Sequence, residues 1–96
     1  MSAPYVFNQF VVREDMIAAL EEYVSDGVPL GGFLRAVVEN DLKGACGRAD
    51  GGNIGNLPAF VAYAYNEMPS TSHGSPEIYK RWLEQHAERR RNEAVK

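Results

Sequence analysis

The chain has 96 residues, 45% of them hydrophobic, and a formal net charge of −3 from 10 Lys and Arg against 13 Asp and Glu. That length supports one domain with a modest core, and the negative balance argues against broad coverage of a phosphate backbone, though a local basic patch remains compatible with it. The single cysteine excludes an internal disulfide and suits a reducing interior. No basic leader followed by an apolar core is present, and no apolar run approaches the roughly 18 residues that span a bilayer, so the expected location is the cytoplasm.

Residues 1–12 contain Tyr5, Val6, Phe7, Phe10, Val11 and Val12, interrupted by Asn8 and Gln9. Aromatic and β-branched residues favour an extended backbone, but the apolar positions do not alternate cleanly. One short strand has no sheet to join within the chain. The expectation is an extended N-terminal arm lying across helices, the alternative being a strand that pairs between subunits or with a partner.

The first predicted helix runs from about Arg13 to Asp26, with Glu14 and Asp15 in its first turn, where orphan amides favour negative charge. Met16, Ile17, Leu20, Tyr23 and Val24 form its apolar face. Gly27 suits the left-handed residue that stops a helix. Pro29 suits the first turn of the next one. From Val28 to Asp50, apolar residues at 30, 33, 34, 37, 38, 42, 45 and 46 keep a helical period, which reads as one helix with a broad buried face. Gly31, Gly32, Gly44 and Gly47 weaken its two ends. Cys46, among small and apolar neighbours, reads as a buried structural thiol.

Asp50 to Asn56 has the composition of a loop, and it offers Asn53 or Asn56 as the cap of a third helix. Pro58 favours the later start, because it then falls in the unpaired first turn. The glycines here lack the lysine and spacing of a phosphate-binding loop. The third helix is expected to run to about Glu67 with Leu57, Phe60, Val61, Ala64 and Tyr65 facing inward. Residues 70–74 form a loop. Ser75, Pro76 and Glu77 then open a fourth helix whose inner face is Ile78, Trp82, Leu83 and His86. Its apolar stripe ends after Ala87, so 88–96 is expected to project or fray.

Few residues point to chemistry. His73 and His86 lie thirteen apart without a cysteine pair or an H-x-x-x-H spacing, so no metal site and no cofactor is expected. Glu39, Asn40 and Asp41, and later Asn66 with Glu67, interrupt apolar stretches; carboxylates placed so can serve acid-base work, but without a Glu-x-x-His repeat the favoured reading is that they cap or hydrogen-bond to the ends of neighbouring elements. Asp50 and Asn53 read as turn and cap residues available to a partner. Arg89, Arg90 and Arg91 fan around a helix end, able to meet phosphate or an acidic protein without forming one reading face.

The segment G-G-F-L-R-A-V-V-E-N-D-L-K-G-A-C-G-R-A-D at 31–50, with Y-A-Y-N-E-M-P at 63–69, G-S-P at 74–76 and Trp82, resembles a family of small uncharacterised proteins carried by phages, prophages and conjugative elements. The resemblance implies a small accessory protein of a mobile element that acts by binding a host protein, of which an anti-CRISPR inhibitor is one form. It brings no catalytic assignment for the polar residues above.

These readings together lead to an all-α, compact four-helix bundle with an extended arm, in a single domain. The expected function is protein binding without enzymatic activity, with Tyr5, Phe7, Phe10, Asp50, Asn53, His73, Arg89, Arg90 and Arg91 as contact candidates and a host protein or a second copy as partner. The alternatives are a nucleic-acid-binding accessory using Arg89, Arg90 and Arg91, and a small metal-dependent enzyme.

Overall fold

The computed structural model describes residues 3–95. They form a hairpin of β1 (Tyr5–Phe7) and β2 (Phe10–Val12), then α1 (Glu14–Asp26), α2 (Gly32–Val38), α3 (Leu42–Arg48), α4 (Gly51–Gly55), α5 (Leu57–Glu67), a 3-10 turn at Ser70–Ser72, and α6 (Pro76–Val95). Among the described residues there are thus six α-helices, and the four-helix bundle expected from the sequence is not what the chain builds. Three local causes account for the difference.

The first cause lies at the N-terminus. The expected extended arm is instead an antiparallel hairpin, in which Tyr5 faces Val12, Val6 faces Val11 and Phe7 faces Phe10. Asn8, at φ 54°, supplies the positive φ that a two-residue hairpin turn needs. Alternate residues then share a face: Tyr5, Phe7, Phe10 and Val12 look toward α5, and Val6 and Val11 look away. Val12 is fully buried, and the Tyr5 ring meets Tyr63 of α5 edge-on at 5.2 Å. The strand finds its sheet partner five residues downstream.

The second cause is the break between α2 and α3. Asn40 takes the left-handed conformation at φ 61°. The amide of Asp41 donates to the Ala36 carbonyl at 2.8 Å and that of Asn40 to Val37 at 3.1 Å, which closes α2 with the paired bonds of a Schellman motif. Asp41 immediately caps α3 by accepting from the Gly44 amide at 3.0 Å. One residue ends a helix and the next begins another. Cys46, on the outer side of α3, is exposed rather than buried as the sequence suggested, because the break turns α3 away from the face that continues α2.

The third cause is that Asp50 and Asn56 each start a helix. Asp50 accepts from the Asn53 amide at 2.7 Å, opening the short α4, while Pro58 sits in the first turn of α5, as its missing amide requires. Asn56 bridges the two ends by donating to the Gly52 carbonyl at 2.8 Å and accepting from the Val11 amide at 2.8 Å. The stretch expected as a loop is therefore helical and tied to β2.

The core forms where α1, α2, α5 and α6 meet. Phe33 and Phe60 pack edge-on at 4.9 Å. Tyr23, fully buried, stacks on Tyr79 at 5.5 Å and donates its hydroxyl to the Ser72 carbonyl at 2.7 Å. The Tyr23 carbonyl in turn accepts from the Gly27 amide at 3.0 Å and from Trp82 Nε1 at 2.9 Å. Gly27 ends α1 at φ 69°, as its sequence position suggested, and the place a Cβ would occupy is already filled by the side chain of His86.

Two stability predictions follow from this junction. Gly27→Ala is expected to cost at least about 2 kcal/mol, since it combines left-handed strain with a clash against α6, and a urea unfolding curve reads this directly. Tyr23→Phe removes the donor to a buried carbonyl and is expected to cost about 1–3 kcal/mol, seen as a lowered melting temperature with an unchanged far-ultraviolet spectrum.

Candidate protein-docking surface

The most distinctive surface comes from how α5 is turned. Its residues Ala59, Phe60, Ala62, Tyr63 and Ala64 are buried, because β1 and β2 cover one flank while α2 covers another. Val61 and Tyr65, expected in the core, are 57% and 82% exposed. Their four-residue spacing puts them on one stripe, with Leu57 one turn earlier. A groove of about 520 Å³ runs along this stripe, lined by Phe7 of β1 and by Leu57, Pro58, Val61, Ala62, Tyr65 and Asn66.

A second, smaller groove adjoins it, sharing Leu57 and Val61 and continuing over Val37 and Ala45 to Leu42, which is 67% exposed. The two form one apolar strip across β1, α5 and α3. Among the described residues Asp41 is the sole charged one lining either groove, and its carboxylate accepts from the Gly44 amide at the start of α3. This contiguous exposed apolar surface makes the strip the candidate docking site.

The residues named from sequence are scattered relative to this strip. Phe7 lies in it. Tyr5 is committed to Tyr63 and accepts from Asn66 Nδ2 at 3.2 Å. Phe10 packs against the core. Asp50 caps α4 and sits 3.9 Å from Arg13 Nη1, Asn53 is buried, and His73 follows the 3-10 turn next to Gly74, whose amide donates to the Val38 carbonyl at the end of α2. Arg89 and Arg90 reach back to the end of α1: their Nη atoms donate to the carbonyls of Ser25 and Asp26 at 3.4 and 2.6 Å. Cations belong at a helix C-terminus. All three arginines, Arg91 included, are exposed.

The polar residues of α2 and α5 do not converge. Glu39 accepts from Arg35 Nε at 2.8 Å, a bond that raises the guanidinium's affinity for its proton, and Arg35 also lies 5.0 Å from the centre of the Tyr79 ring. Asn40 and Asp41 form the helix break, and Asn66 holds Tyr5. Among the described residues no three His, Cys, Asp or Glu side chains come together as a metal-binding group. No helix among them is long and apolar enough to cross a membrane. Burial raises the phenol pKa values of Tyr23 and Tyr63 above their ordinary range, so both stay neutral.

His86 is the one buried histidine. It lies 5.0 Å from Trp82, ring to ring, and its Nδ1 is 2.8 Å from Arg89 Nη2. Arginine can only donate, so Nδ1 accepts and the ring is neutral. Burial lowers its pKa below 6.5, and the neighbouring Arg89 and Arg90 charges lower it further, against an opposing pull from Asp26.

Sequence reasoning missed Val61, Tyr65 and Leu42. The available signal was the run of small residues Ala59, Ala62 and Ala64, which marks the flank where other backbone approaches. Comparison with protein families, with characterised proteins and with solved structures finds nothing that matches this chain.

The His86 environment sets a pH dependence. Its folded pKa is depressed, so its contribution is complete above the ordinary value of 6.5 and is lost as pH falls from there toward the folded pKa. Melting curves between about pH 7.5 and about pH 5.5 are expected to show a falling midpoint, and His86→Gln, which keeps an acceptor without titrating, is expected to flatten that fall.

Proposed function

We propose that the protein acts by binding another protein, without enzymatic chemistry, through the apolar strip of Phe7, Leu57, Val61, Tyr65 and Leu42. The observation that carries this reading is the continuity of the strip: two grooves share Leu57 and Val61, and almost no charge interrupts them. An aromatic side chain as exposed as Tyr65 fits the anchor residues that dominate interfaces. The family resemblance of residues 31–82 supports a cytoplasmic accessory protein of a mobile element directed at a host protein, such as a component of a defence complex. A nucleic-acid role has less support, since Arg89 and Arg90, although exposed, donate to carbonyls at the end of α1.

Capture of partners from bacterial lysate by the tagged chain tests this proposal, with Tyr65→Ala and Val61→Glu beside an Arg91→Ala control. Both strip variants are expected to reduce recovery of the partner by about tenfold or more, the effect of losing an interface anchor, and Arg91→Ala to leave it unchanged. Undiminished recovery by folded strip variants would overturn the proposal.

A further inference from the structure

We infer that the last three turns of α6 form a strap that acid releases: when His86 takes up a proton, residues 84–95 lift off the end of α1 while the core and the first half of the helix stay in place. The two halves of α6 are anchored very differently. In the first, Tyr79 is buried against Tyr23, and Trp82 Nε1 donates to the Tyr23 carbonyl at 2.9 Å. Across residues 84–94, His86 alone is buried, Ala87 is half-buried and the others are exposed. Beyond His86, the hydrogen bonds from the strap to α1 among the described residues are two, from the exposed Arg89 to the Ser25 carbonyl at 3.4 Å and from the exposed Arg90 to the Asp26 carbonyl at 2.6 Å. Bonds so exposed exchange for water at little net cost. A hollow of about 610 Å³ already lies between the strap and the connection at Val28 and Pro29, so lifting the strap separates little packed surface. One buried side chain holds it down.

The seat of that side chain suits only a neutral ring. His86 fills the space that Gly27 leaves by lacking a side chain, and its ring lies 5.0 Å from that of Trp82. Its Nδ1 accepts from Arg89 Nη2 at 2.8 Å. A proton on Nδ1 would point at a guanidinium that has no lone pair, turning this bond into a contact between two cations. The charged groups around the ring are Arg89, Arg90 and Glu93 on α6 and Asp26 at the end of α1, and the Gly27–Pro29 connection brings none. Asp26 favours the charged ring, but burial and the two arginines together outweigh it. Arg89 is exposed and can swing into solvent, which relieves the charge contact and still leaves the imidazolium enclosed by Gly27 and Trp82. Hydrating that charge requires the ring to leave its seat, and the ring is the strap's buried anchor.

Linkage gives the direction. The seated ring binds its proton less readily than a ring in water, so each proton taken up favours the lifted strap. Above the ordinary histidine value of 6.5 the opening equilibrium does not depend on pH; below it, opening increases about tenfold per pH unit until the pKa of the seated ring is reached. The opening is local, because Tyr79 and Trp82 keep the first half of α6 on the core. No residue lines both the hollow beside the strap and the grooves of the apolar strip, so this device is separate from the docking surface.

Amide hydrogen exchange of the full chain, followed by NMR between about pH 7.5 and about pH 5 and corrected for the pH dependence of exchange in an unfolded chain, tests this inference. The Gly27 amide, which donates to the Tyr23 carbonyl at 3.0 Å beside His86, reports on the strap, and that of the buried Phe60 reports on the core. Below pH 6.5 the protection of Gly27 is expected to fall by up to about tenfold per pH unit. It is also expected to stay below that of Phe60 and to ignore small additions of urea that lower Phe60 protection, since a local opening exposes little surface. His86→Gln is expected to abolish the pH slope at Gly27. Should that variant fold poorly, Arg89→Gln keeps a donor to Nδ1 without the charge and is expected to raise the imidazole pKa and shrink the slope. Gly27 protection independent of pH overturns the inference, as does a slope that survives in His86→Gln. Equal protection and equal urea dependence at Gly27 and Phe60 also overturn it, because the proton is then taken up only on global unfolding.

Discussion

Tyr23 occupies the point where α1, the 3-10 turn and α6 converge, and both ends of the residue are used there. Its hydroxyl holds the Ser72 carbonyl at 2.7 Å, while its carbonyl accepts from Gly27 and Trp82. A phenol with no exposure has to find a partner inside the protein, since an unpaired hydroxyl in the core costs more than the bond returns. The partner it finds lies 49 residues away, so this one side chain fixes where the connection between α5 and α6 crosses α1. Tyr79 stacks on the same ring and accepts from the Leu30 amide at 3.1 Å, which positions the entry to α2 as well.

Once α6 is held this way, its C-terminal half runs over the end of α1. His86 fills the space that only a glycine at position 27 leaves open, and Arg89 and Arg90 cover carbonyls that the end of α1 would otherwise leave to water. The basic run of the sequence is thereby largely a helix-end contact. Its neutral histidine and flanking cations make the joint between α1 and α6 sensitive to acid, through burial first and charge second.

The candidate site arises at the opposite flank, from competition for the faces of α5. A single apolar helix face would have placed Val61 and Tyr65 in the core. The hairpin instead claims the side bearing Ala62 and Tyr63, and α2 claims Phe60 through Phe33. With those flanks covered, the stripe of Leu57, Val61 and Tyr65 faces outward. The break at Asn40 and Asp41 then brings α3 alongside, so Leu42 extends the exposed strip rather than the core. Sites of this kind consist of residues that look interior by type.

The local code of the chain determined a good deal by itself. Gly27 as a left-handed stop, Ser75 as the cap that accepts from the Ile78 amide and Pro58 in a first helical turn all rest on interactions within a few residues; of the inner face expected for α6, His86 is buried, while the buried Tyr79 was not among the residues expected there. The Asn40–Asp41 break was also local, as a left-handed asparagine followed by a capping aspartate, but the helical period of the apolar residues around it masked it. Only the tertiary structure decided that β1 pairs with β2 over α5, that Cys46 faces outward, and that Val61 and Tyr65 form a surface. Periodicity reports that a helix has an apolar side, whereas which part of a broad apolar helix is covered depends on elements distant in sequence that compete to pack against it.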